Sequence, residues 1–310
     1  MKPLLKNFLS VIRRYKLAVA LNILGLSVAF AAFMVIMAQV DYDLSFDKCH
    51  KDHDKIFRVE IYAPFIATAK IPILPRPFAD QFFESSPYIV AGALTTHTDA
   101  THSNSRGAFE ASFHIETEGS ARNFFKENSL AVSPEFFDVF TFDFVEGSVE
   151  ALSSLDKVVI PLSMAHKLFG KESAIDKQLI YEWGRQTVGA VYSDFPLNTI
   201  IENCLYFTIP PEHDRYNWRW NYNAFIRVND ASKTQMIVDN FLQNFDFSAA
   251  FGHDFSLEES GFGMFLTPLA DIHFTTDIQF DFAPKASKQT LMILFAIAIV
   301  IKQHHKRITE

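Results

Sequence analysis

Leu17 to Val40 reads LAVALNILGLSVAFAAFMVIMAQV, 24 residues without a charge. Only Asn22, Ser27 and Gln39 interrupt it with clearly polar side chains. About 20 apolar residues at 1.5 Å each cover a hydrocarbon core of roughly 30 Å, so this run is long enough to cross a bilayer. Lys2, Lys6, Arg13, Arg14 and Lys16 precede it with no acid among them, and Asp41, Asp43 and Asp47 follow. That asymmetry predicts an N-terminus in the cytoplasm and the chain beyond Val40 outside. A cleaved signal peptide is the rival, since Ala29-Phe30-Ala31 resembles a small-residue cleavage site. Cleavage there would leave Phe33 to Met37 as an apolar new terminus, so the retained anchor is the reading adopted. Leu4, Leu5, Phe8, Ile12 and Tyr15 recur at helical spacing within residues 3–16, which predicts a basic amphipathic helix along the inner membrane face.

The remainder is globular in composition, with 49% hydrophobic and 21% charged residues, which argues against disorder. A net charge of -8 and the lack of a basic stripe argue against nucleic acid as a partner. Cys49 and Cys204 are too few for a disulfide framework, and spacing does not decide whether they pair. Phe is over-used, at 33 residues, for which the sequence offers no account beyond a Phe-rich core.

From Asp41 to about Ser287 the signals mix helix and strand and predict an α+β domain, read as two lobes. Lys55–Ile61 alternates as a strand. Pro77–Ser86 predicts a helix that puts Phe78 and Phe82 on one side and ends before Pro87. Thr95–Gly107, rich in Thr, His, Ser, Asn and Asp, reads as a loop. Ser133 reads as the cap of a helix with Pro134 at its first position. Lys157–Ile160 is a strand, Ser163–Phe169 a helix stopped by Gly170, and Gln178–Glu182 with Gln186–Ser193 a hairpin around Trp183-Gly184-Arg185. Ala224–Val228 is a strand, and Asp230 or Ser232 caps a helix to about Phe245.

Six stretches, in order, resemble the MacB/FtsX-like family of ABC transporter permeases in its Bacteroidetes form: NILGLSVAFAAFMVIMAQV (22–40), DLSFDKCHKDHDKIFRV (43–59), VSPEFFDVFTFDF (132–144), VVIPLSMAHKLFG (158–170), TVGAVYSDFP (187–196) and LTPLADIHF (266–274). No one of them is specific; their shared order carries the resemblance. It implies a cytoplasmic segment 1–16, a transmembrane helix 17–40 and a MacB-like periplasmic core domain 41–287. Within that domain a porter-like lobe would carry a β-rich insert at roughly 120–210. It further implies a bacterial inner-membrane location, a cytoplasmic ABC ATPase subunit as partner, a permease homodimer or paired permease, contact with membrane lipid, and a periplasmic or outer-membrane partner. The family's spans after the domain would begin in residues 288–310. There Leu291–Ile301 gives only eleven apolar residues before Lys302, His304, His305, Lys306 and Arg307. The expectation is a permease shortened in its second span; the alternative is a short span completed by snorkelling Lys288 and Lys302.

Chemistry is sparse. Gly170-Lys171-Glu172-Ser173 lacks the glycine spacing of a phosphate loop, and neither H-E-x-x-H nor G-x-S-x-G occurs, so no enzyme, cofactor or catalytic residue is expected. Cys49, His50, His53 and Asp54 have metal-ligand chemistry, but the resemblance implies a histidine at position 50 without a metal, so no metal site is expected. Arg215 to Tyr222 is an aromatic and basic run read as a packed hairpin edge rather than a binding surface. Glu258 and Glu259, adjacent in sequence, would point to different sides. The residues singled out are the helix-packing candidates Asn22, Gly25 and Ser27, small or polar groups that let a partner helix approach within the membrane. The functional expectation is a non-catalytic permease subunit; the rival is a singly anchored exterior binding or sensor module without transport activity.

Overall fold

The computed structural model describes residues 14–97, 108–115, 123–281 and 283–309. These form two compact units, one from the described residues up to Ser45 with those from Ala286 onward, the other from Phe46 to Lys285. The amphipathic segment expected over 3–16 lies almost wholly outside the described residues.

In the first unit, helix α1 spans Lys16–Leu44. Its 29 residues rise about 43 Å, more than a hydrocarbon core requires. Among the described residues it is the one helix long and apolar enough to cross a membrane. The C-terminal helix of this unit runs Lys288–Thr309, and its apolar part, Lys288–Val300, falls short of that length. The two helices lie against each other. Ala29, Phe33, Ile36, Met37 and Val40, spaced as one helical face, form the partly covered stripe of α1.

The second unit is built on twelve strands among the described residues, joined in one sheet. Its elements in chain order begin with β1 (Ile56–Tyr62), β2 (Ile73–Pro75), α2 (Arg76–Glu84), β3 (Ile89–Thr96), β4 (Phe109–His114) and β5 (Phe124–Val132). They continue with α3 (Phe136–Val139), β6 (Phe144–Gly147), β7 (Lys157–Pro161), α4 (Leu162–Phe169), β8 (Gln178–Tyr181), β9 (Gly184–Tyr192) and β10 (Leu205–Thr208). The last are β11 (Trp220–Val228), α5 (Thr234–Asn244), α6 (Ser248–Phe251), α7 (Leu257–Ser260), β12 (Gly263–Pro268) and α8 (Leu269–Ile272); the helix Lys288–Thr309 of the first unit is α9.

Two parts of the sheet differ in kind. Strands β3, β11, β1 and β12 form an open antiparallel part. Strands β10, β7, β9, β8, β4 and β5 close on themselves, because β5 pairs in parallel with β10. The closed part surrounds its own core of Phe113, Val158, Ile160, Leu179, Val188 and Leu205. A single pair, Thr95 with Val132, carries the ladder from the open part to the closed one. The class is therefore α+β, an N-terminal apolar helix followed by a sheet-rich domain.

Helices α2 and α5 cover the open sheet, burying Phe78 and Phe82 from one and Ile237, Val238 and Phe241 from the other. Pro77 sits in the first turn of α2, where its missing N–H costs nothing. Gly92 of β3 runs beneath this layer: a Cβ there would stand 2.2 Å from the Phe83 ring. The abundance of Phe is explained here. Phe78 meets Phe241 and Phe245 edge to face at 5.2 and 4.9 Å, and Phe247, Phe251, Phe255 and Phe262 extend the cluster beyond α5. Edge-to-face ring pairs add about 0.5–1.5 kcal/mol each beyond area burial.

Two local expectations are corrected. Ser133 does not cap α3: its hydroxyl receives the Leu94 N–H at 3.1 Å, and its own N–H returns to the Leu94 carbonyl. A strand edge with an unmet donor won the hydroxyl that a four-residue helix could have used. The loop expected from Thr95 begins later, because β3 runs through Thr96 and pairs with β11 up to Tyr222; Thr98–Gly107 lie outside the described residues. The Arg215–Tyr222 run is mixed. Tyr222 is buried, Trp218 and Trp220 pack on the core, and Tyr216 is exposed.

Candidate functional site: the junction of entering and leaving chain

The chain enters the second unit at Phe46 and leaves it at Lys285. Those two ends meet within it. Phe46, 2% exposed, stacks on His273, 3% exposed, with ring centroids 3.9 Å apart and planes 6° from parallel. His273 donates from Nδ1 to the Pro284 carbonyl at 2.7 Å. One aromatic pair thus joins the first residue of the domain to its last turn.

Asp47 fixes the entering segment. It has a left-handed backbone, φ +61°, a conformation Asp tolerates better than most residues. Its N–H donates to the Asn198 carbonyl at 2.8 Å. Its Oδ1 accepts from Thr199 Oγ1 at 2.7 Å and from the Ile200 N–H at 2.8 Å. The single Thr199 proton goes to the carboxylate, so the 3.2 Å contact with His50 makes Nε2–H of His50 the donor. Burial drives the His50 pKa down to about 4, with His53 assisting and the Thr141 backbone, which favours the protonated ring, opposing. His50 is a neutral structural residue, held between Phe140 and Phe195.

The leaving segment is fixed by charge. Arg58 and Glu60 sit at i and i+2 on β1, so they share one face. Arg58 Nη2 donates to Glu60 Oε1 at 2.7 Å and pairs with Asp281 Oδ2 at 2.8 Å. Lys70 reaches Glu60 Oε2 at 2.9 Å, and Lys285 reaches Asp281 at 2.6 Å and the Ile272 carbonyl at 2.7 Å. The side chains of Arg58, Glu60 and Asp281 are at most 5% exposed. Burial would raise the Asp281 carboxyl, but Arg58 and Lys285 outweigh it and hold it low. A cavity of about 60 Å³ adjoins this network, with Arg58, Asn223, Phe280 and Asp281 in its wall beside Ile200–Glu202.

No group of three or more His, Cys, Asp or Glu able to hold a metal occurs among the described residues. Cys49 is exposed, Cys204 is buried, and both are free thiols. Glu258 and Glu259 lie in the short exposed helix α7. Asn22, Gly25 and Ser27 are all exposed on α1. At about 100° per residue, Asn22 and Gly25 continue the stripe that carries Ala29 and Phe33, whereas Ser27 lies about 140° round from Asn22. Ser27 donates to the Ile23 carbonyl of its own helix at 2.8 Å, a bond within the helix rather than across to another.

Sequence reasoning missed the junction, apart from marking His50. One signal was available: Arg58 and Glu60 place two charges on a single face of the strand KIFRVEI. The partners across the junction, from Asn198 at 151 positions from Asp47 to His273 at 227 from Phe46, carry no mark in sequence.

The profile of the MacB-like periplasmic core domain matches residues 19–244, from inside α1 to the end of α5. The chain belongs to this family. MacB-like domains are the periplasmic parts of ABC transporter permeases, and the match takes in most of the apolar helix as well as the sheet up to β11. Among solved structures, a domain of a protein described as a permease from Porphyromonas gingivalis superimposes with a TM-score of 0.53 at 17% identity, covering 79% of this chain and 98% of that one. That likeness shows the fold. The periplasmic region of MacB from Actinobacillus actinomycetemcomitans aligns at 14% identity and a TM-score of 0.43, covering 69% and 89%. The extracellular domain of the noncanonic ABC-type transporter YknZ from Gram-positive bacteria aligns at 12% and 0.38, covering 58% and 88%. No curated protein matches the chain.

Proposed function

We propose that this MacB-like chain is a membrane-anchored permease subunit that works mechanically, with a cytoplasmic ABC ATPase as the source of motion. The observation that carries the reading is the junction. A domain that relays movement needs its entering and leaving segments fixed to one another, and Phe46, His273 and Pro284 join them directly. Arg58, Asp281 and Lys285 make a second tie. In this reading residues 1–16 are cytoplasmic, 17–40 span the inner membrane, and 41–287 are periplasmic, with the closed β-rich part, which overlaps the expected 120–210 and also takes in β4, as an inserted lobe. Residues 288–310 form a second apolar helix with a basic tail. Asn22 and Gly25 are the proposed approach face for a second permease helix, with Ser27 in a lesser role.

The test is recovery of the partner. The tagged full chain is solubilised from native membranes in mild detergent, and co-purifying proteins are identified by mass spectrometry. The proposal expects a cytoplasmic ATPase with a phosphate-binding loop in near-stoichiometric amount. Recovery of the anchored chain with no ATPase, or with an exterior ligand protein alone, would favour a tethered binding or sensor module.

A further inference from the structure

Two exposed apolar tips flank the junction, and both are held there. The loop after β9 carries Pro196 and Leu197, the latter 73% exposed. It is built stiffly. Asn203 bonds both backbone groups of Phe195, accepting its N–H at 2.8 Å and donating to its carbonyl at 2.9 Å. On the other side of the tip, Asn198 and Ile200 are tied to Asp47. The second tip is Phe280, 56% exposed at φ +57°. A left-handed Phe costs on the order of 1–3 kcal/mol and persists only where its surroundings impose it. Here the Gln279 N–H is fixed to the Lys70 carbonyl at 2.7 Å, and Asp281 is fixed to Arg58. Phe280 and residues Ile200–Glu202 share the wall of one cavity, so the two loops are neighbours.

Single exposed apolar side chains are ordinary. Two on adjacent, braced loops, one of them strained, are a built feature. Chain continuity identifies the occupant. Asp47, which holds the Leu197 loop, follows Leu44, the last residue of α1, by three positions; Asp281, next to Phe280, precedes α9 by seven. We propose that Leu197 and Phe280 rest in the phospholipid headgroup and upper acyl region, forming a foot of the exterior domain on the bilayer surface. Interfacial apolar residues act by this kind of shallow burial. The inference rests on the reading of α1 as a membrane anchor.

The test uses the full chain in phospholipid vesicles, in a Cys49→Ser background that leaves only the buried Cys204. Single cysteines replace Leu197, Phe280, Val28 and Trp183 in turn and carry an environment-sensitive fluorophore. Val28 lies mid-way along α1. Trp183 is equally exposed but precedes β9, whose nine residues separate it by about 30 Å of strand from the Leu197 loop. Quenching by lipids with nitroxides in the headgroup and upper acyl chain is then compared at the two tips and Trp183, and quenching by lipids labelled near the acyl terminus is read at Val28. The expected result is quenching at both Leu197 and Phe280 roughly twofold or more above Trp183. Quenching at Val28 with either tip at the Trp183 level overturns the foot while leaving the anchor intact. No quenching at Val28 overturns the anchor reading, and the foot with it. Pro196→Cys substitutes if Leu197→Cys does not fold.

Discussion

Phe46 and His273, 227 positions apart in sequence, lie face to face at 3.9 Å and close the domain on itself. The contact is an aromatic plate against an imidazole whose orientation is set by the Pro284 carbonyl. Phe46→Ala removes a fully packed ring and should cost about 3–5 kcal/mol. His273→Phe keeps the stack and loses one hydrogen bond, so it should cost about 1 kcal/mol. Thermal unfolding of both variants in detergent checks the order.

The buried charges should behave as a set. Arg58→Met leaves Glu60 and Asp281 without their shared cation and should cost about 3–5 kcal/mol. Arg58→Met with Glu60→Leu should cost less than the sum of the two single changes, because they share one network. A double-mutant cycle by chemical denaturation reads the coupling.

Acid should weaken the fold through His50. Its folded pKa, about 4, lies below the ordinary 6.5. Between those values the unfolded chain binds a proton that the folded chain refuses. Stability is therefore whole above pH 6.5 and falls as pH drops toward 4, by about 3 kcal/mol in total. Asp281 acts lower: its folded pKa is depressed, so its contribution is lost only below the usual carboxylate value of about 3.9. His50→Asn should flatten the melting temperature between pH 6.5 and 4.5 relative to the native chain.

Gly92 should resist a methyl group. Gly92→Ala drives a Cβ into the Phe83 ring and should cost about 1–3 kcal/mol as overpacking. Adding Phe83→Leu should recover part of the loss, as read by denaturant midpoint.

The apolar helix, the class of fold and the Phe78/Phe82 face of α2 were legible because each depends on spacing or composition within one segment. The junction was not. Asp47 finds Thr199 across 152 positions, and neither residue departs from what an exposed loop would carry. The Phe excess was visible without a cause. It became explicable once α2, α5 and the segment to Phe262 were seen to face each other. Ser133 looked like a cap because local sequence records which donors are near in chain, not which strand passes alongside.

In the proposed mechanical role, the entering and leaving segments move together when the partner ATPase turns over. Hydrogen exchange on the purified permease–ATPase complex, nucleotide-free and trapped with ATP and vanadate, reads this coupling. The account predicts that peptides covering 46–55 and 273–285 are both protected and change together between the two states. A change in one without the other, or in neither while the membrane helices respond, would contradict it.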